Sequence, residues 1–139
     1  SEVKRMIGVL LVTHGNVCES LKESMEMILG QQKNFCALSL NPEDDVMELK
    51  NRVKVKLQEM DQGEGVIALV DLFGGSPYNT VAACFKEAHM ECIAGVNFPM
   101  VLGILESREM VSLEKLPEIG VQAGMEGIVN IRQKISSCA

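Results

Sequence analysis

The apolar residues of this chain follow two patterns that alternate along its length. Short unbroken apolar runs predict buried strands, and apolar residues that recur every three or four positions predict amphipathic helices. One run, VIALV at residues 66–70, is apolar throughout, which is typical of a strand covered on both faces. Strands are predicted over residues 7–12, 34–40, 66–70 and 92–96, with a last short strand over residues 127–132.

Helices fill most of the intervals between these strands. Gly30 is a plausible end for the first helix, and the dipeptide Asn41-Pro42 predicts a turn after the second strand. The spacing of apolar residues predicts helices over residues 17–29, 46–60, 78–85, 99–105 and 113–121. This alternation indicates an α/β fold with an open, doubly wound, mainly parallel sheet and helices on both faces. No repeat or linker interrupts it, so we expect a single domain over residues 1–139.

Composition narrows the class of protein. With 139 residues, 15.2 kDa, 47% hydrophobic and 23% charged residues, the chain is balanced like a globular domain with a substantial core. The net charge of −6 argues against general binding to nucleic acid or anionic lipid, but a protein partner with a basic face remains compatible. The chain has no apolar run of membrane-spanning length and no secretory signal pattern, so we expect a cytoplasmic protein. Its five cysteines are interpreted as small buried hydrophobes in a reducing compartment.

Two polar residues stand where predicted strands end. His14 follows the first apolar run and Asp71 follows the third. Ligands of doubly wound sheets bind beyond the carboxyl ends of the strands, at the point where strand order reverses. If the order is 2-1-3-4, His14 and Asp71 face each other there. A carboxylate that binds one imidazole nitrogen raises the basicity of the other, so the pair predicts a nucleophile suited to accepting a phosphoryl group.

The glycine-rich turn after Asp71 is suited to holding that group. Gly74 and Gly75 let backbone N–H groups approach an anion closely, and Ser76 is expected to cap the helix whose first turn contains Pro77. The N-terminus of that helix points unpaired N–H groups at the anion.

Two neighbours of the histidine complete the predicted phosphate site. The hydroxyl of Thr13 is expected to contact the imidazole or the phosphate, and Gly15 is expected to permit the sharp turn beside it. His89, the other histidine, ends a helical pattern and is interpreted as structural.

Three segments carry a family resemblance: THG at residues 13–15, DLFGGSPYN at residues 71–79 and AGVNFPM at residues 94–100. Together they resemble the mannose-type IIA domains of the bacterial sugar phosphotransferase system, and the similarity runs in order along nearly the whole chain. The chain departs from the family at Phe73, where members often have tryptophan. Both residues are apolar, so the departure leaves the chemistry unchanged.

The resemblance implies that the chain is a phosphotransferase that carries a phosphoryl group. His14 would accept the group on Nε2 from the histidine phosphocarrier protein and pass it to a IIB domain, which phosphorylates sugar arriving through membrane subunits. Asp71 would hold the other ring nitrogen, and Thr13 and Ser76 would lie around the phosphate. Members form homodimers that exchange a C-terminal strand, so residues 127–132 would be an antiparallel addition to the sheet. No cofactor or metal is implied, and the sequence has neither a nucleotide-binding G-x-x-x-x-G-K-[ST] loop nor clustered metal ligands.

Three other functions remain as alternatives. The phosphotransfer subunit of dihydroxyacetone kinase shares the fold and the phosphohistidine, but its loops usually lack THG and GGSP. Histidine phosphatases and phosphoglycerate mutases have an arginine where this chain has Thr13, and His89 lacks the context of their second catalytic histidine. A flavodoxin-like regulator that binds an anion without catalysis would not need the nucleophilic geometry of His14.

Overall fold

A four-stranded parallel sheet organises the protein, whose computed structural model describes residues 5–41 and 43–138. The strand order is β2-β1-β3-β4, which confirms the predicted α/β fold and the order on which the predicted site depends. Pro42 of the predicted turn and the ends of the predicted domain, residues 1–4 and 139, lie outside the described residues. The strands are β1 (Gly8–His14), β2 (Phe35–Leu40), β3 (Val66–Val70) and β4 (Met90–Ala94).

Six α-helices connect or follow these strands within the described chain. A 3-10 turn over Leu113–Lys115 precedes the fifth helix, inside the segment predicted as one helix. No helix of residues 5–41 and 43–138 combines the length and apolar composition that a membrane span requires. The helices are α1 (Val17–Leu29), α2 (Val46–Met60), α3 (Ser76–Ala82), α4 (Phe98–Ser107), α5 (Leu116–Glu126) and α6 (Ile131–Cys138).

The core lies on both faces of the sheet because the central strands are aliphatic throughout. Successive side chains of a strand point to opposite faces, so Val9 and Leu11 enter one cluster and Leu10 and Val12 enter the other. The first cluster packs against α1, α4 and α5, and the second packs against α2 and α3. With β1 and β3 covered on both faces, only the ends of these strands are free to present polar groups.

The predicted last strand over residues 127–132 is wrong. After α5 the chain continues through irregular residues 127–130 into α6, none of whose described residues is buried. The apolar residues Ile128, Val129 and Ile131 suggested a strand, but Ile131 and Ile135 are four positions apart, a spacing that suits a helix. Within the described residues, no strand pairs with this segment.

A buried arginine joins elements at the amino edge of the sheet, a feature that the sequence analysis did not identify. The Arg108 side chain follows α4, and the residue is only 4% exposed. Its guanidinium donates to the carbonyl oxygens of Ile7 and Asn34 at 3.2 Å and of Lys33 at 2.6 Å. Burial lowers the pKa of Arg108, although the charge of Glu109 opposes the shift. These bonds tie the end of α4 to the segments that enter β1 and β2.

Candidate active site

The sheet brings His14 and Asp71 together, as the sequence predicts. His14 is the last residue of β1, and Asp71 directly follows β3, the neighbouring parallel strand. One carboxylate oxygen of Asp71, Oδ2, accepts the backbone N–H of His14 at 2.9 Å and contacts ring Nδ1 at 2.8 Å. The side chain of His14 is 43% exposed and that of Asp71 is 20% exposed, so the carboxylate anchors the ring from the protein side.

The charge of Asp71 determines which nitrogen of a neutral His14 carries the proton. Burial raises the pKa of Asp71, but the hydrogen bonds from the backbone N–H and the ring of His14 outweigh burial, so the pKa of this carboxyl lies below its ordinary value. An ionised carboxylate can only accept hydrogen bonds, and Nδ1 therefore donates. Nε2 keeps its lone pair and makes no hydrogen bond with any residue that the structure describes.

The glycine-rich loop lies against the imidazole. A Cβ atom added to Gly75 would stand 2.9 Å from Cε1 and 3.4 Å from Nε2 of His14, so only glycine fits without moving the ring. Gly74 has a φ of +86°, a backbone conformation that favours glycine. The N-cap of α3 is Gly75 and not Ser76 as expected; Ser76 is the first residue of α3 and Pro77 the second. The loop therefore lies beside the edge of the imidazole that carries Cε1 and Nε2.

Thr13 lies on the opposite side of β1 from the loop. Its side chain is fully buried, and its hydroxyl accepts the backbone N–H of Cys18 at 2.8 Å. The same hydroxyl donates to the carbonyl oxygen of Gly15 at 3.4 Å. Gly15 has a φ of +55°, in agreement with the expectation of a sharp turn after His14. The predicted contact of Thr13 with the phosphate stays a prediction.

Several exposed apolar side chains lie at the same edge of the sheet as the site, and the sequence analysis did not identify them as a surface. They start α1 and α2 or project from the loop that follows Asp71, so all belong to the carboxyl edge of the sheet. A group of such side chains at one edge is typical of a contact surface for a protein. The sequence did contain one signal of this surface, because the large apolar residues Leu72 and Phe73 lie within a glycine-rich turn. This apolar rim consists of Val17, Val46, Met47, Leu72 and Phe73.

Other candidate groups lie away from this edge. His89 immediately precedes β4, at the amino edge of the sheet, and its Nε2 is 3.8 Å from Oε1 of Glu114. The described residues contain no group of three or more His, Cys, Asp or Glu side chains that could hold a metal ion. Of the cysteines, Cys18 and Cys84 are buried as expected, whereas Cys138 is exposed.

Comparisons with known proteins identify the family of this chain. The model of the family described as "PTS system fructose IIA component" (EIIA-man) matches residues 8–119, which include every residue of the site and the apolar rim. The mannose-specific EIIAB component of the phosphotransferase system of Escherichia coli (strain K12) is 34% identical over 130 residues, which are 92% of this chain. The chain spans only 40% of the length of that relative.

Two further similar proteins are closer to this chain in length. The fructose-specific EIIA component of Bacillus subtilis (strain 168) is 36% identical over 112 residues, covering 80% of this chain and 77% of the relative. The crystal structure of phosphotransferase system component EIIA from Streptococcus agalactiae superposes with a TM-score of 0.84 over 92% of this chain and 99% of that chain. At 23% identity, the latter likeness concerns the fold.

Proposed function

Because the chain belongs to the mannose/fructose-type IIA family of the sugar phosphotransferase system, we propose that it carries a phosphoryl group on Nε2 of His14. The group arrives from the histidine phosphocarrier protein and leaves to a IIB domain during sugar uptake. One observation carries the proposal: Asp71 Oδ2 binds both the backbone N–H and Nδ1 of His14, at 2.9 and 2.8 Å, which leaves the lone pair of Nε2 free.

The transfer needs no cofactor, because the donor already carries an activated phosphoryl group. The lone pair of Nε2 forms the new N–P bond while the N–P bond of the donor's phosphohistidine breaks, and its electron pair returns to the donor imidazole. His14 keeps its proton on Nδ1, so its ring gains positive charge as the donor ring loses it. The carboxylate of Asp71 lies 2.8 Å from that charge and stabilises it.

The loop of Gly74, Gly75 and Ser76 is the proposed phosphate cradle. A Cβ atom added to Gly75 would stand against the edge of the imidazole that carries Nε2, so a phosphoryl group bonded to this nitrogen enters the space beside the loop. The N–H groups of Gly75 and Ser76 precede the first hydrogen bond of α3, from Asn79 N–H to Gly75 O. Together with the Ser76 hydroxyl they supply donors for the phosphate oxygens, and Gly15 keeps the opposite side of the site open.

The apolar rim is the proposed docking surface for the phosphocarrier protein and for the IIB domain. Both partners must bring a side chain to His14, and both therefore approach the same edge of the sheet. Acidic residues Glu43, Asp44 and Asp45 follow β2 at this edge and complement a partner with a basic face. The support for this part of the proposal is the exposure of the rim, which reaches 75% at Phe73.

We also propose that the chain acts in the cytoplasm as one IIA domain and forms a homodimer. The C-terminal segment supports self-association, because Ile128, Ile131 and Ile135 are 65–75% exposed and nothing in the described chain covers them. A second copy that covers these side chains would remove them from water. Light scattering on the intact chain checks the homodimer, and a monomeric mass at all concentrations contradicts it.

The proposed function is tested by incubating the chain with enzyme I, the phosphocarrier protein and phosphoenolpyruvate. We expect one acid-labile phosphate, located on His14 by mass spectrometry, and its transfer to a IIB domain. His14→Ala removes the label, while His89→Ala is the matched control and keeps it. Labelling that persists in His14→Ala contradicts the site. Hydrolysis of a phosphate ester by the chain alone favours a histidine phosphatase, and transfer to a dihydroxyacetone kinase partner instead of IIB favours that alternative.

A further inference from the structure

The hydroxyl of Thr13 organises the turn between β1 and α1. The N-cap of α1 is Asn16, whose side chain makes no capping hydrogen bond. Thr13, three residues earlier, provides that bond instead, because its Oγ1 accepts the N–H of Cys18 at 2.8 Å. The Thr13 residue is fully buried, so this bond is shielded from water.

The same turn is held at two further points. Gly15, in the left-handed region at φ +55°, donates its N–H to the carbonyl oxygen of Leu40 at 3.1 Å. Its own carbonyl oxygen accepts the Thr13 hydroxyl at 3.4 Å. His14 therefore lies between two residues whose backbones are fixed, and its freedom at Cα is small.

The pleat of β1 separates the Thr13 side chain from the phosphoryl position. Side chains alternate between faces, so Thr13 follows Val9 and Leu11 toward α1, while His14 follows Leu10 and Val12 toward α3. Gly75, which lies beside the imidazole, precedes α3 on the latter face. On the other face, the Thr13 hydroxyl already donates to the carbonyl oxygen of Gly15 and accepts the N–H of Cys18.

From this geometry we propose that Thr13 is a positioning residue for phosphoryl transfer, which rests on the proposed function of His14. It acts through the backbone of the turn and makes no contact with the phosphate. By fixing the turn, Thr13 orients the N–H and the ring of His14 so that both meet the same oxygen of Asp71. The ring is thereby held with Nε2 directed outward before any partner binds.

Two substitutions of Thr13 separate this role from simple packing. Thr13→Val keeps the shape of the side chain and removes the hydroxyl, whereas Thr13→Ser keeps the hydroxyl. At saturating phosphocarrier protein, we expect Thr13→Val to lower the transfer rate constant by about 10-fold, because a small misplacement of a reacting group is costly. KM is expected to change less than about 2-fold because the apolar rim is untouched, and Thr13→Ser is expected to stay within about 2-fold of the parent chain in both constants.

A spectroscopic measurement on the unphosphorylated chain completes the test. Nitrogen-15 NMR of the His14 ring reports which nitrogen carries the proton, and we expect Thr13→Val to reduce the population with the proton on Nδ1. A direct phosphate contact predicts slower transfer with an unchanged spectrum, and this result overturns the proposal. Unchanged transfer in Thr13→Val also overturns it.

The experiment distinguishes failure of this inference from failure of the proposed function. If the parent chain is never phosphorylated, the proposed function is wrong, and the NMR comparison still decides whether Thr13 positions the ring. Thr13→Cys, with a thiol that is a weaker acceptor, is expected to give intermediate values. It keeps the proposal testable if Thr13→Val does not fold.

Discussion

Each edge of the sheet has a polar side chain that hydrogen bonds hold in place. The two side chains differ in how far they are exposed to solvent and in which of their polar atoms have a partner. At the amino edge, Arg108 is 4% exposed and donates to three carbonyl oxygens. At the carboxyl edge, the side chain of His14 is 43% exposed, and Asp71 holds one of its ring nitrogens. The other nitrogen makes no hydrogen bond with the described residues.

This difference distinguishes a side chain that stabilises the fold from a side chain that is positioned to react. A buried charge must have its hydrogen bonds satisfied within the protein, so the partners of Arg108 are backbone carbonyl groups of the segments that enter β1 and β2. A group that reacts must be held firmly at one atom and left accessible at another. Substitutions at the amino edge are therefore expected to change stability, and substitutions at the carboxyl edge are expected to change transfer.

The largest expected effect on stability comes from Arg108→Met. The substitution leaves the carbonyl oxygen of the buried Ile7 without this donor and removes the bonds to Lys33 and Asn34. We expect a loss of about 2–4 kcal/mol in the free energy of unfolding. Urea unfolding followed by circular dichroism measures the loss. The folded fraction is expected to transfer phosphate at the parent rate.

Arg52→Met is the matched control for that experiment. Arg52 is an exposed arginine on α2 whose contacts are long, 3.7 Å to Asp44 and 3.5 Å to the carbonyl oxygen of Ser39. Its loss is expected to change stability by about 0.5 kcal/mol or less. The comparison between the two edges fails if Arg108→Met keeps its stability and instead loses transfer.

The next effect is expected at the opposite edge, from Gly75→Ala. Gly75 has an ordinary φ of −83°, so alanine introduces no left-handed strain, but its Cβ would lie 2.9 Å from Cε1 of His14. Because the ring or the loop must shift, the alignment of His14 with Asp71 and the loop is disturbed, and we expect a loss of about 100-fold in the transfer rate. Stopped-flow or quenched transfer from the phosphocarrier protein measures the rate constant.

Gly74→Ala provides the converse control one residue earlier. Gly74 has a φ of +86°, so alanine is strained and about 1 kcal/mol of stability is lost, yet nothing lies within 4 Å of the added Cβ. Transfer is expected to fall less than in Gly75→Ala, because the added Cβ does not reach the ring and only the strained loop of the proposed cradle shifts. Equal losses of transfer in both glycine variants would show that the loop acts through its general flexibility and not through contact with His14.

The sequence predicted the sheet because its signals are local. Unbroken apolar runs marked the four strands, and their ends placed His14 and Asp71 at one edge once the strand order was assumed. The N-cap of α3 was predicted one residue late, at Ser76 instead of Gly75, since glycine and serine both serve as N-caps and only the backbone distinguishes them. The C-terminal segment was assigned as a strand because short apolar runs do not separate strand from helix.

Other features depend on contacts that no local pattern shows. Arg108 binds the carbonyl oxygens of Ile7 and Asn34, which precede it by 101 and 74 residues, and backbone acceptors have no sequence signature. The role of Thr13 depends on which face of β1 its hydroxyl occupies. Its neighbour His14 was identified from its position, but the hydrogen bond from Cys18 to Thr13 was not predictable from the residue types.

The smallest expected effect is a dependence on pH that distinguishes the two edges. The pKa of Asp71 is lower in the folded chain than its ordinary value of about 3.9, so the folded state binds this proton less readily than the unfolded state. The ionised carboxylate therefore contributes its full stability above the unfolded-state pKa, and the contribution disappears as the pH falls through the lowered value.

We expect the stability difference between the parent chain and Asp71→Asn to be constant near pH 6 and to shrink progressively below about pH 4. In contrast, the stability lost in Arg108→Met stays constant over this range, because the guanidinium remains protonated in both states. Urea unfolding between pH 6 and pH 2.5 measures both differences, and an Asp71→Asn difference that does not shrink in acid contradicts the role of the ionised carboxylate.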